Sequence, residues 1–238
     1  MDNAIYAGLT RQAGLMHEMQ SIANNIANSA TTGYRAEGMI FSEFVALTGQ
    51  GEPSLSMGLG DVRRLSVAQG ALTQTGGAFD LAVEGPGYFV VATPQGERLT
   101  RAGAFSPSAN GDLVTPEGYG VLDAGGAPVF VPQGAGPVAI AADGTISAGG
   151  QPIGQIGLVR PLDPGAMQRS DGVLFEAAAG WEPEPEGRMV QGFLEQSNVN
   201  PLLEVARMIE VQRAYELGQG LAEREDQRIR DTIETVRS

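Results

Sequence analysis

Apolar residues near the start of the chain recur at helical spacing. They step by four, three and four positions, at Leu15, Met19, Ile22 and Ile26. This spacing places them on one face of a helix, and the small Ala23 beside them would let a second helix approach closely. Gly33 follows as an expected helix stop. Packing in an ordinary core is the alternative explanation of the stripe.

The end of the chain carries a second helical pattern. Asn200 is suited to cap a helix and Pro201 to begin its first turn. A residue of the predicted buried column then recurs every seventh position, at Met208, Tyr215, Ala222, Ile229 and Val236. A companion column starts at Val205 and becomes polar in its middle. A helix of about 36 residues would be roughly 50 Å long and would need a partner, either the N-terminal helix or another subunit. Docking on the chain's own middle domain is the alternative.

The middle of the chain has the pattern of β-structure. Residues 80–84 alternate between polar and apolar, and residues 88–91 form a continuous apolar run. Turn signals follow at short intervals, among them Asn110-Gly111 and Asp143-Gly144. Short strands between such turns predict an antiparallel sandwich or barrel.

These patterns predict an α+β protein with long N- and C-terminal helices and an antiparallel β-rich middle domain. Four segments are expected: an N-terminal helix, an extended connector, a β-rich domain and a C-terminal helix. Their predicted ranges are 1–35, 36–75, 76–195 and 196–238.

The distribution of charge along the chain supports the division into terminal helices and a middle domain. The 238 residues carry 15 basic residues, all of them Arg, against 28 acidic ones, for a formal net charge of −13. Residues 1–35 are neutral, residues 196–238 carry −2, and the remaining −11 lies in residues 36–195. An acidic chain is a poor candidate for binding nucleic acid. No apolar run approaches the ~18 residues of a membrane span, and the start lacks the pattern of a cleaved signal peptide.

Candidate chemistry is sparse. The chain has no Cys and one His, His17, which excludes cysteine zinc sites and cysteine nucleophiles. The turn signals at Asn110-Gly111 and Asp143-Gly144 lack the spacing of a calcium loop and are expected to be hairpin turns. Carboxylate pairs for glycoside hydrolysis are available by chance, but the sequence distinguishes none of them. We therefore expect no catalytic residue, metal site or cofactor.

Several blocks of the sequence, in order, resemble those of bacterial flagellar rod and hook proteins. They are SIANNIAN with TGYR at 21–28 and 32–35, GALTQTG with DLAV at 70–76 and 80–83, LTRAGAF at 99–105, and GFLEQSNVN with MIEVQRAYE at 192–200 and 208–216. Each block alone is a weak signal. Their shared order across nearly the whole chain identifies it as a member of this family.

The resemblance implies a structural role and no enzyme activity. Family members pair their terminal helices in an inner coiled-coil layer around an export channel, with the β domain outside. They assemble with themselves and other rod subunits, and they leave the cell unfolded through the flagellar type III export apparatus, without a cleaved signal peptide, to reach the part of the basal body that spans the periplasm. The implied assembly interface comprises Leu15, Met19, Ile22, Ala23, Ile26, Val205, Met208, Tyr215, Ala222, Ile229 and Val236.

Within the family, three features favour a subunit of the proximal rod. They are the start at residues 1–6, the modest length, and the segment IAADGTI at 140–146. A distal-rod subunit is the near alternative. A secreted β-rich carbohydrate-active enzyme and a free-standing adhesin are the alternatives from other classes.

Overall fold

The computed structural model describes residues 2–46, 55–134 and 136–237. Side chains are described for residues 8–40, 64–134, 136–235 and 237. Helix α1 spans Asp2–Ala27 and helix α2 spans Pro201–Arg237. The strands, in chain order, are β1 Glu37–Ala46, β2 Leu55–Leu65, β3 Leu72–Gln74, β4 Leu81–Glu84, β5 Phe89–Thr93, β6 Gly96–Thr100, β7 Ser106–Pro107, β8 Leu113–Val114, β9 Gly120–Leu122, β10 Val138–Ile140, β11 Thr145–Ala148, β12 Gln151–Gln155, β13 Val159–Pro161, β14 Met167–Asp171, β15 Leu174–Ala177, β16 Trp181–Pro183, β17 Arg188–Gln191 and β18 Phe193–Glu195.

The described residues form two compact units. The helical unit contains α1, β1, α2 and β2 up to Arg64. The β-rich unit contains residues 28–36 and 65–199. The α+β class predicted from the sequence is confirmed, with a β-rich middle between the helices. The range 36–75, expected to be an extended connector, contains strands β1, β2 and β3. Within the described residues, neither helix combines the length and apolar character needed to cross a membrane.

A seven-stranded antiparallel sheet dominates the β-rich unit, in the order β14-β15-β6-β5-β9-β8-β7. Strand β5 explains the continuous apolar run in the sequence, because it is covered on both faces. Phe89 and Val91 lie in one core cluster, whereas Tyr88 and Val90 lie in the other. Side chains alternate along a strand, so a strand buried on both faces needs apolar residues at every position.

The predicted hairpin turns are confirmed at both sites. Gly111 lies between β7 and β8 with a φ of 94°, and Asp143-Gly144 joins β10 to β11. The Thr145 backbone N–H donates to Asp143 Oδ1 at 3.0 Å, and the Thr145 hydroxyl donates to Oδ2 at 3.0 Å. These hydrogen bonds lower the pKa of the Asp143 carboxyl, since they favour its charged form. Both sites are therefore explained as turn chemistry.

One helix end is as predicted and the other is not. Helix α2 begins at Pro201, and the Asn200 side-chain oxygen accepts N–H groups from Leu202 at 3.1 Å and Leu203 at 3.3 Å, which confirms the predicted cap. Helix α1 ends at Ala27, so Gly33 is not its stop. Gly33 has a φ of 71°, and its N–H donates to the Glu195 carbonyl at 2.7 Å.

Candidate assembly interface

The two helices contact each other through a small apolar cluster. Its buried members are Leu15, Ile22 and Val211. Partly buried residues packed against them are Met19, Ile26, Met208, Ala214 and Tyr215. Met208, Val211 and Tyr215 step by three and four, as expected for one face of a helix. Val211 is the buried centre of that face. The seven-residue repeat used for the sequence prediction does not include it.

The residues predicted for assembly fall into three environments. Those in or against the apolar cluster are Leu15, Met19, Ile22, Ile26, Met208 and Tyr215. Ile229 is half-buried, whereas Ala23, Val205 and Ala222 are exposed. Val236 belongs to α2, but its side chain lies outside the described ones. The structure therefore brings six of the eleven together within one chain and leaves three others on the surface of the helices.

Asn25, in the middle of the SIANNIAN block, connects three elements of the helical unit. Its side-chain amide donates to the Glu37 carbonyl at 2.8 Å, and its side-chain oxygen accepts the Glu37 N–H at 2.9 Å. The same amide donates to Glu204 Oε2 at 3.2 Å. Asn25 is 2% exposed. It links α1, β1 and α2, a polar role that the apolar pattern alone did not indicate.

An ion pair adds a second polar contact between the helices. Arg207 Nη2 and Nε both lie 2.8 Å from Glu18 Oε1. Glu18 is buried, whereas the Arg207 side chain is half exposed. Because one partner is buried, removing Arg207 would leave a carboxylate without its counter-charge, which costs more than losing an exposed pair.

The β-rich unit contains a buried charge cluster formed by Arg35, Arg101 and Glu195. Arg35 Nη2 lies 2.8 Å from Glu195 Oε1, and Arg101 Nη1 lies 3.2 Å from Oε2. The side chains are 1%, 5% and 1% exposed for Arg35, Arg101 and Glu195. The Gly70 N–H also donates to Oε1, at 2.9 Å. One carboxylate thus pairs with two buried guanidinium groups, so the charge cluster keeps a formal charge of +1.

Arg101 has further contacts that compensate for its burial. Its Nη2 donates to the Gly85 carbonyl at 2.9 Å, and its guanidinium carbon lies 4.8 Å from the centre of the Tyr88 ring. Burial lowers the pKa of Arg101, an effect that Glu195 opposes and Arg35 reinforces. Arginine nevertheless stays protonated in proteins, so the charge cluster depends on Glu195 for its balance.

The charge cluster is also where the family blocks converge. TGYR supplies Arg35, GALTQTG supplies Gly70, LTRAGAF supplies Arg101, and the closing block supplies Glu195. Two further hydrogen bonds join the first and the closing segments: the Ala36 N–H donates to the side-chain oxygen Oδ1 of Asn198 at 2.6 Å, and the Asn198 N–H donates to the Tyr34 carbonyl at 3.3 Å. The buried charge cluster therefore joins four of the family blocks within the β-rich unit.

Glycines in these blocks permit close backbone contacts, which yields a first prediction. A Cβ at Gly103 would lie 1.8 Å from the Leu81 carbonyl oxygen, whereas a Cβ at Gly120 would meet no atom within 4 Å. We expect Gly103→Ala to lower the free energy of unfolding of the β-rich unit by about 1–3 kcal/mol, because backbone must move to accept the methyl group. Urea unfolding followed by the fluorescence of Trp181 measures this loss.

Gly120→Ala is the matched control for Gly103→Ala. Neither glycine has a positive φ, so backbone conformation does not separate them. The control should change the free energy of unfolding by less than about 0.5 kcal/mol. Equal losses in the two variants would contradict the close contact at Gly103.

Comparison with known proteins places these features in one family. The family model for the flagellar hook protein FlgE/F/G D1 domain matches residues 82–148, and the model for the flagellar basal body rod FlgEFG protein C-terminal region matches residues 190–235. The first match covers much of the β-rich unit, and the second runs from β17 through most of α2.

Several curated proteins are similar to this chain over nearly its whole length. A flagellar basal-body rod protein FlgF of Caulobacter vibrioides is 41% identical over 91% of this chain and 90% of its own length. A FlgF of Rhizobium meliloti is 36% identical over 99% and 98%. A flagellar basal-body rod protein FlgG of Caulobacter vibrioides is 31% identical over 96% and 97%. All three are named as rod proteins and none as an enzyme. The chain belongs to the family of bacterial flagellar basal-body rod proteins, and it is more similar to these FlgF relatives than to this FlgG.

Proposed function

We propose that this chain is a structural subunit of the proximal part of the flagellar basal-body rod. The observation that carries the proposal is the likeness to proteins named FlgF over 90% or more of both chains. A distal-rod role is the second candidate, because FlgG is similar over the same range at lower identity. The enzyme alternative is set aside, since the relatives are named as flagellar basal-body rod proteins.

We further propose that the chain polymerises helically through its terminal helices to form part of a hollow drive shaft. The exposed apolar residues of α2 support this, since Leu202, Leu217 and Leu221 are 77%, 72% and 65% exposed. Apolar residues that are exposed away from the packed face of a helix are typical of a helix that binds a further partner. We propose that all eleven residues predicted for assembly act in it. The exposed ones would contact neighbouring subunits, and the packed ones would hold the two helices together.

Charge supports an arrangement with the helices inside and the β-rich unit outside. Residues 1–35 and 196–238 carry 0 and −2, whereas residues 36–195 carry −11. Copies whose near-neutral helices meet at the centre avoid strong like-charge repulsion, and the acidic residues of the range 36–195 stay in solvent. The partners in this proposal are other copies, the neighbouring proximal- and distal-rod subunits, and the type III export apparatus that passes the unfolded chain to the periplasm without a cleaved signal peptide. The lack of Cys suits such a chain, because no stray disulfide can form on arrival.

Deletion of the gene tests the proposal. We expect cells without this chain to lack hooks and filaments and to be non-motile, and expression of the chain to restore both. Mass spectrometry of basal bodies purified from the complemented cells should find the chain in the rod. Motile deletion cells, or basal bodies that lack the chain, would contradict a structural role.

A further inference from the structure

The buried charge cluster carries more positive charge than its one carboxylate offsets. Arg35, Arg101 and Glu195 together keep a formal charge of +1, and each side chain is 5% exposed or less. A guanidinium group stays protonated in proteins, so this surplus charge cannot be removed by titration. Because a buried charge without a counter-charge is costly, a further anionic partner would stabilise the charge cluster.

Donor groups in the charge cluster also outnumber their acceptors. Among the residues that the structure describes, none accepts a hydrogen bond from Arg35 Nε, Nη1 or Nη2, or from Arg101 Nε. The Arg35 guanidinium is held by charge alone, with Nη2 at 2.8 Å from Glu195 Oε1. Arg101 is better compensated, since it also contacts the Gly85 carbonyl and the Tyr88 ring. The surplus charge and the unpaired donors therefore occur at the same place.

A pocket of about 540 Å³ in the β-rich unit has Arg101 in its lining. Gln69 also lines it, and the next residue, Gly70, donates its N–H to Glu195 Oε1 at 2.9 Å. The pocket thus borders the charge cluster at two points. A water molecule occupies roughly 30 Å³, so the pocket has room for a small ion together with hydrating waters.

Acidic residues in the same pocket restrict which anion can bind. Glu184 and Glu186 line it together with Arg160. Glu184 already has partners, since its Oε1 accepts the Glu186 N–H at 2.9 Å and its Oε2 lies 3.8 Å from Arg160 Nη1. These carboxylates repel a multiply charged anion such as phosphate or sulfate more strongly than a singly charged one. One surplus positive charge is matched by a single monovalent anion.

Water alone satisfies the charge cluster less well than an anion does. All the unpaired atoms are donors, whereas a water molecule brings two hydrogens of its own that need acceptors. An anion accepts from several N–H groups at once and supplies the missing charge. Hydrogen bonds in which a partner is ionised are also about twice as strong as those between neutral groups.

We propose that the charge cluster binds one small monovalent anion of the chloride type, which enters through the pocket and lies against Arg101 and Arg35. This site goes beyond the proposed function, because it needs no other subunit. The anion adds to Glu195 and does not replace it, since each carboxylate oxygen already holds one guanidinium group. An ion that binds only the folded β-rich unit stabilises that unit more as its concentration rises above its dissociation constant.

Urea unfolding of the full chain at constant ionic strength tests the site. Sodium chloride replaces sodium gluconate, whose anion is bulky, at a total of about 0.2 M, so that the screening of surface charges stays fixed. We expect the equilibrium constant for unfolding, followed by Trp181 fluorescence, to fall at least about tenfold across the replacement. This fall corresponds to a dissociation constant of about 20 mM or below.

Arg35→Gln removes the surplus charge, because Arg101 and Glu195 then balance each other. The chloride effect should shrink to less than about twofold in this variant. Arg188→Gln is the matched control, since it removes an exposed cation of β17 and should keep the full chloride effect. Equal chloride effects in the two variants would indicate a general action of salt and overturn the site. An unchanged chain that does not respond to chloride would overturn it too.

Bromide soaking of crystals of the unchanged chain provides a second measurement if Arg35→Gln fails to fold. Bromide replaces chloride and is located by its anomalous scattering. A peak within hydrogen-bond reach of Arg101 Nε and the Arg35 guanidinium supports the site. Water at that position, or an adventitious ion only, bound to arginines of the surface, would overturn it.

Discussion

Glu195→Gln is expected to unfold the β-rich unit under conditions in which the unchanged chain is folded. The substitution keeps the size of the side chain and removes the only carboxylate of the charge cluster. Arg35 and Arg101 would then be two buried cations without a counter-charge. Breaking a buried pair in this way costs about 3–5 kcal/mol, a large part of the 5–15 kcal/mol that stabilises a typical domain. Urea unfolding followed by Trp181, which packs against a core cluster of this unit, measures the loss.

Glu182→Gln is the matched control for Glu195→Gln. Glu182 lies 2.7 Å from Arg160, but its side chain is 45% exposed and that of Arg160 is 54% exposed. An exposed pair contributes at most about 1 kcal/mol, so this variant should unfold close to the unchanged urea midpoint. Equal losses of stability in the two variants would contradict the stabilising role of the buried charge cluster in the β-rich unit.

Ile22→Asp is expected to abolish both the packing of α1 on α2 and motility. Ile22 is 2% exposed within the apolar cluster, so the new carboxylate would be buried without a partner. The loss of apolar packing and the burial of a charge together cost on the order of 3–5 kcal/mol. The helical signal in circular dichroism should be lost at a lower urea concentration than in the unchanged chain. Cells that carry the variant should lack hooks.

His17→Asp controls for the added charge on α1. His17 is exposed and lies off the packed stripe, so the helical unit should keep its stability and the cells should swim. Ala23→Asp separates folding from assembly, because Ala23 is exposed but belongs to the proposed interface. It should leave the circular dichroism unchanged and reduce motility. Motile cells with Ile22→Asp would contradict the role of the helix pair.

Helices, caps and turns were predicted correctly where the evidence for them lies in neighbouring residues of the sequence. The four-three-four stripe lies in α1, the cap at Asn200 was found where expected, and both hairpin turns were located. Each depends on residues within a few positions of one another. Gly33 shows the limit of such signals, because its positive φ serves a contact with Glu195, which is distant in sequence, and not the end of α1.

The candidate site was predictable only in part, because its polar members pair across long sequence separations. Glu195 lies 160 residues from Arg35 and 94 from Arg101. Nothing in the sequence near any of the three indicates that they meet, although all lie in blocks that carry the family resemblance. Val211 was missed for a different reason. A strict seven-residue repeat follows one column of a helix, whereas the buried face of α2 uses a three-four step.

A density map of the intact basal body would show whether this chain occupies the proximal rod. We expect the chain to lie in the proximal rod, with α1 and α2 in the inner layer around the channel and the β-rich unit facing outward. A rod without this chain, or one in which its helices face away from the channel, would contradict its proposed role as a rod subunit.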